Sequence, residues 1–162
     1  TPPETLINDI TQMNQTYVAR VIAPTSVEEI SAALRSTTGP VSIGGGRFSQ
    51  GGQVSYPDSV HLDMRALNRV LNLDVAGKRI TVEPGITWAE LWQTLKARGL
   101  RTTFWGPFSG IKATVGGSMS QNSASLGSGN FGISADAVLA FEVVLANGEI
   151  LKTGSRAAAN VS

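Results

Sequence analysis

Cysteine is missing from the 162 residues, so the chain forms neither disulfides nor thiolate centres and gives no sign of its redox compartment. Histidine occurs once, as His61, which excludes any site built on two imidazoles. Charge is equally sparse. Thirteen Lys and Arg stand against twelve Asp and Glu, a net charge of +1, and no basic run is present to neutralise phosphates, which argues against a nucleic-acid binder. No apolar stretch reaches membrane-spanning length and the start carries no signal-peptide pattern, so a cytoplasmic location is favoured. Thr1 stands first in place of Met, as expected of a processed form or an excised domain.

Glycine is what the chain has in excess. Twelve of the 18 glycines fall in two windows, Gly44 to Gly52 and Gly106 to Gly132. Such clustering marks backbone that needs positive φ or close approach to something else. The remaining composition, 41% hydrophobic, supports one domain or two small lobes sharing a core.

Local signals give a mixed α+β reading. Thr5 to Asn14 is expected as a short helix and Tyr17 to Ile22 as a strand. Ser26-Val27-Glu28-Glu29 has capping-box spacing, and Val27, Ile30, Ala33 and Leu34 share the face of the helix it starts. Gly39-Pro40 ends that helix, and Val41-Ser42-Ile43 reads as a buried strand running into the first glycine window. Further strands are expected at Ser59 to Leu62, Arg69 to Asp74 and Arg79 to Glu83, the last two paired through Val75-Ala76-Gly77. Thr87 to Glu90 is a second capping box, followed by Trp88, Leu91, Trp92 and Leu95 on one helix face, with Gly99 as its stop. Ala137 to Leu145 is a nearly continuous apolar run, and Asn147-Gly148 signals a hairpin into Ile150 to Lys152.

A strand opening directly into glycines is an anion-binding design, because successive backbone N–H groups converge without side-chain obstruction. Gly44-Gly45-Gly46-Arg47-Phe48-Ser49-Gln50 fits it, with Arg47 adding charge and Ser49 a hydroxyl. It is neither a Walker loop nor a Rossmann fingerprint, since no Gly-Lys-Ser/Thr follows and Ser49 stands where a third glycine belongs. The alternative is a flexible surface turn. In the second window, Ala113 to Asn122 is expected to form a short helix whose N-terminal Thr114 to Gly117 present free N–H donors. Two such loops suit a ligand with two ends, and a dinucleotide with a central pyrophosphate is the natural candidate.

The ordered motifs Ala23 to Ile30, Ile43-Gly44-Gly45-Gly46, Leu62-Asp63-Met64 with Leu67-Asn68, Val82-Glu83-Pro84-Gly85, Thr87-Trp88, Thr114-Val115-Gly116-Gly117 and Val143 to Gly148 carry a more specific signal. Over Tyr17 to Thr153 the chain resembles the FAD-binding domain of the vanillyl-alcohol oxidase and p-cresol methylhydroxylase (PCMH) family, the FAD-linked oxidases. The resemblance implies a PCMH-type α+β fold of two subdomains over residues 17–153, an N-terminal extension at 1–16, and a tail or severed linker at 154–162. It places FAD between the subdomains, with Gly44, Gly45, Gly46, Arg47, Phe48, Ser49 and Gln50 as the pyrophosphate loop. Thr114, Val115, Gly116, Gly117, Ser120 and Asn122 line the flavin and pyrophosphate, and Pro107 and Ile133 touch the cofactor's edges. It also implies a C-terminal cap domain, absent from this chain, or a partner subunit, which covers the flavin and brings substrate groups.

Relatives that join flavin covalently use a histidine after the first glycines, or a cysteine; this chain has Arg47-Phe48 there and no cysteine, so the resemblance implies non-covalent FAD. His61, in the apolar Val60-His61-Leu62, reads as structural. By the resemblance, a small-molecule donor (an alcohol, 2-hydroxy acid or sugar-like compound) passes hydride to flavin N5. Donors near N1 and O2 are sought at Ser118 to Asn122, Lys112 or Arg101. Asp63 and Glu83 read as turn caps and Trp88 and Trp92 as packing residues, while Phe104, Trp105 and Phe108 border either the flavin or a subdomain contact. No catalytic residue is assigned. The competing readings are a sugar-lactone or alditol oxidase, a stand-alone flavin-binding or electron-relay subunit, and a glycine-rich interaction domain without cofactor.

Overall fold

The structure, a computed structural model, describes residues 5–103, 112–122 and 137–154. Two apolar clusters organise most of it. The first is built on a parallel sheet of β3 (Arg20–Ile22), β5 (Val60–Asp63) and β4 (Val41–Gly44), with β5 in the middle. Helix α1 (Val27–Ser36) connects β3 to β4 and lays Ile30 and Ala33 against Leu62 and Leu67. Ser26 caps α1 by accepting from the Glu29 amide at 3.2 Å. The Glu29 carboxylate does not close the box on Ser26; it accepts from the Thr25 amide at 2.7 Å, one residue earlier.

In β4 the inward position is polar. Ser42 is buried while Ile43 is 58% exposed, the reverse of the apolar strand expected. Hydrogen bonding decides the register: Ser42 Oγ lies 2.8 Å from both Ser59 Oγ and His61 Nδ1. Two buried hydroxyls and the His61 Nδ1 satisfied together outweigh one exposed isoleucine.

The second cluster joins the antiparallel hairpin β6 (Val70–Asp74) and β7 (Arg79–Val82) to helices α2 (Trp88–Lys96) and α3 (Val115–Ser120). Both halves of the capping box at α2 form: the Glu90 amide donates to Thr87 Oγ1, and the Thr87 amide to the Glu90 carboxylate. Gly99, at φ +69°, ends the helix, with the Leu100 amide reaching back to the Leu95 carbonyl. Trp88, Leu91 and Leu95 are buried, and the Trp88 indole N–H donates to Ser118 Oγ at 2.8 Å, tying α2 to α3.

A third hairpin, β8 (Ala140–Val144) with β9 (Ile150–Gly154), turns at Asn147-Gly148. The Gly148 carbonyl accepts from Ser31 Oγ, which holds the turn on α1. At the N-terminus the helix expected over Thr5 to Asn14 does not form. Thr5–Ile7 is a strand, β1, paired antiparallel with β2 (Thr16–Val18). Between them the chain turns around Asp9, whose side chain takes hydrogen bonds that a helix would leave to carbonyls. The single strand expected over Tyr17 to Ile22 is likewise two, β2 and β3, broken at Ala19 and belonging to different sheets. Among the described residues no helix is long and apolar enough to cross a membrane.

Candidate functional site

The first glycine window lies between the two clusters. At its start, Gly44 closes β4, and a side chain there would meet the His61 ring at 3.0 Å. At its middle, Phe48 packs into the second cluster. The second glycine segment runs beside it. A Cβ on Gly45 would overlap the Thr114 hydroxyl, and one on Gly46 would come within 3.2 Å of the Lys112 carbonyl. Gln121 Nε2, just past α3, donates to Ser49 Oγ at 2.5 Å. The two stretches therefore form one continuous surface, which their separation in sequence does not reveal.

The backbone donors are unevenly spread along that surface. Among the described residues, the five amides from Gly46 to Gln50 make no hydrogen bond. The start of α3 is different and corrects the expectation of free donors there. Val115 N–H donates to the Ile86 carbonyl at 2.9 Å, Gly116 N–H to the Pro84 carbonyl at 2.8 Å and Gly117 N–H to Thr114 Oγ1 at 3.3 Å. Those bonds, with the Thr87–Thr114 bridge, spend the helix end on fastening α3 to the Glu83–Thr87 segment. Gly116 is tight against Pro84, whereas Gly117, Ser120 and Asn122 lie on the exposed side, Ser120 with its hydroxyl turned back to the Gly116 carbonyl. The second segment thus offers a smooth, small-residue wall, and the first offers the amides. Pro107 and Ile133 lie outside the described residues, as do Phe104, Trp105 and Phe108.

Charge is placed beside the amide-rich arch. Arg47, at φ +61°, turns its side chain inward to within 3.7 Å of Asp63. Asp63 already accepts a bidentate pair from Arg65 Nε and Nη2, and its carboxylate also caps the turn Met64–Ala66. Burial raises the Asp63 carboxyl, but the Arg65 bonds and the Arg47 charge outweigh this and hold it below its ordinary value. Two guanidiniums share one carboxylate, which leaves a surplus positive charge, and the buried Arg47 Nε has no hydrogen-bond partner among the described residues.

His61 completes this corner and is fully buried. Ser59 Oγ donates its proton to the Tyr56 carbonyl, so Ser42 must donate to Ser59 and His61 Nδ1 to Ser42. That order fixes the tautomer with a bare Nε2, which is buried without a partner among the described residues. Burial, then the Arg47 charge, push the imidazole pKa down, which keeps the ring neutral. Glu83 is structural in the same sense: it accepts from the backbone and guanidinium of Arg69 and holds the β6–β7 base.

The free amides, the unpaired guanidinium nitrogen, and glycines whose Cβ atoms would collide with Thr114 or Phe48 together fit a diphosphate-containing cofactor. This is the architecture of an FAD-binding domain. The chain belongs to the FAD binding domain family, whose model matches residues 18–154, within the vanillyl-alcohol oxidase and p-cresol methylhydroxylase group, and FAD is its cofactor. It is 32% identical over 160 residues to the glycolate oxidase subunit GlcD of Bacillus subtilis, covering 95% of this chain and 33% of that protein. It is 34% identical over 141 residues to the mitochondrial D-lactate dehydrogenase [cytochrome] of Arabidopsis thaliana, covering 85% and 24%. Identity is also 34% over 141 residues to L-gulonolactone oxidase of Bos taurus, covering 85% and 31%. In fold it matches 6-hydroxy-D-nicotine oxidase from Arthrobacter nicotinovorans, with a TM-score of 0.77 over 96% of this chain and 37% of that one, at 17% identity. The chain spans about a third or less of the curated relatives it matches.

Proposed function

We propose that this chain is the FAD-holding part of a flavin-dependent oxidoreductase that oxidises an alcohol, 2-hydroxy acid or sugar-like donor, and that it holds FAD non-covalently. The observation that carries the reading is the packing of Gly45 against Thr114, with the five amides from Gly46 to Gln50 left unpaired among the described residues. When bound, FAD supplies the hydride acceptor. The chain's residues supply position. Gly46 to Gln50 direct their N–H groups at the diphosphate, and Arg47 adds its surplus charge. Gly117, Ser120 and Asn122 give a wall without bulky side chains, along which the extended cofactor lies, and Thr114, Val115 and Gly116 hold that wall in place.

Relatives named for glycolate, D-lactate and L-gulonolactone support the donor class. Those proteins are three to four times longer than the matched segment, which supports a substrate-covering domain outside this chain as the source of the catalytic base. His61 has no solvent exposure, which supports a structural role for it in place of a covalent flavin link. The visible absorption spectrum of the purified protein tests the reading. Flavin bands that acid precipitation releases into the supernatant are expected; bands retained in the pellet contradict non-covalent binding. A colourless protein that leaves the fluorescence of added FAD unquenched contradicts the whole reading.

A further inference from the structure

The glycine arch has two feet. The first is built into β4 and pressed against Thr114. The second, Gly51-Gly52, belongs to no strand or helix, and what fastens it comes largely from the N-terminal segment. Asp9 Oδ2 accepts from the Gly52 amide at 3.1 Å and from Asn14 Nδ2 at 2.7 Å. The same Asn14 amide group reaches the Gln50 carbonyl at 3.2 Å. Asp9 Oδ1 faces away from the arch and accepts from the Thr11 amide and hydroxyl at 3.0 and 2.6 Å. The carboxylate is only 2% exposed although it sits in an irregular turn between two three-residue strands. A buried acid with four donors and no salt bridge among the described residues is costly to keep unless its negative charge organises something. The Thr11 hydroxyl bond, with those from Asn14 and Gly52, outweighs desolvation and holds its pKa below the ordinary value. Gly52 has φ +76°, and the Asn14 side chain is its nearest neighbour across the turn.

From this geometry, and resting on the FAD reading above, we propose that Asp9 is a positioning residue for the cofactor: with Asn14 it fixes the second foot of the arch, so that the amides of Gly46 to Gln50 point together at the diphosphate. Asp9 and Asn14 both precede the segment that the family model matches. The N-terminal turn is therefore a working part of the cofactor site. A groove of about 410 Å³ lies between this turn and Gly46-Arg47.

Asp9→Asn is the discriminating change. Its amide nitrogen sets a donor against the donors of Gly52 and Asn14, or, if the amide flips, against the Thr11 amide. The test measures affinity of the intact protein for FAD and for ADP, at a temperature where circular dichroism shows each flavin-free variant fully folded. In Asp9→Asn both dissociation constants should rise about tenfold or more, the scale of one lost hydrogen bond to a charged group. Riboflavin, which carries no diphosphate, should bind Asp9→Asn and the parent equally, a split that a general loss of structure would not give. Unchanged FAD and ADP affinity in Asp9→Asn overturns the proposal. So does an equal loss of riboflavin affinity. A parent protein that binds neither ligand brings down the FAD reading itself, and this proposal with it, so the two failures are told apart by the parent's own titration.

Discussion

Replacing Gly45 with alanine tests the contact that makes the two glycine segments one site. Gly45 does not need its freedom of φ; it needs the absence of a Cβ, because that atom would overlap the Thr114 hydroxyl and come within 3.0 Å of Thr114 Cγ2. Thr114 cannot turn away cheaply. It is 3% exposed, and its hydroxyl caps α3 by accepting from the Gly117 amide. Alanine at 45 therefore displaces the cap, worth about 1 kcal/mol, and overpacks a buried seam, worth about 1 to 3 kcal/mol. The expected loss is about 2 to 4 kcal/mol of unfolding free energy in the flavin-free protein. Thr114→Ala alone should cost about 1 kcal/mol for the cap. In the double variant the remaining approach is between two Cβ atoms at 3.1 Å, which a small backbone shift relieves. The double variant should then lose little more than Thr114→Ala does, giving a coupling of about 2 to 4 kcal/mol in a double-mutant cycle. Urea unfolding followed by tryptophan fluorescence measures all four corners. Additive losses, or a Gly45→Ala protein as stable as its parent, would refute the packing of the first loop on Thr114.

Two further outcomes follow from the buried polar groups. Because burial and the charges of Arg47 and Arg65, set against Asp63, leave the folded His61 pKa below 6.5, the unfolded chain takes up the extra proton first as pH falls. Stability contributed by neutral His61 is thus fully present above pH 6.5 and declines below it, by at most about 1.4 kcal/mol per pH unit until the folded group itself titrates. Urea midpoints at pH 7.5 and 5.5 should differ in the parent and converge in His61→Gln; an equal difference in both excludes His61 as the source. Trp88→Phe removes the indole N–H from Ser118 as well as ring volume and should cost about 1 to 3 kcal/mol. Combined with Ser118→Ala the losses should be less than additive in thermal or urea unfolding, and full additivity would deny the bond.

Features governed by neighbours in sequence are legible in the residues themselves. The caps at Ser26 and Thr87, the Gly99 stop and the Asn147-Gly148 turn all form where local chemistry places them. Features that depend on distant partners are not. Thr5 to Asn14 has a helix-compatible pattern, but its Asn8-Asp9-x-Thr11-x-x-Asn14 side chains make turn bonds, and the Gly52 amide, 43 residues away, completes them. The same Asn, Asp and Thr cluster is the available signal against a helix. Ser42 points inward only because Ser59 and His61 arrive beside it on and next to β5. The α3 amides are not free because Pro84 and Ile86 bring carbonyls to them from across the second cluster. Asp9 escapes sequence reasoning for the same reason: nothing near it in the chain announces the loop it serves.

The most direct test of the central claim is a competition titration of the flavin-free protein with FAD, ADP and riboflavin. If the main-chain amides of Gly46 to Gln50 grip the diphosphate, FAD binds, ADP displaces it, and riboflavin at equal concentration does not. Riboflavin matching FAD while ADP fails to compete would place the affinity in the flavin ring and contradict the role given to the arch.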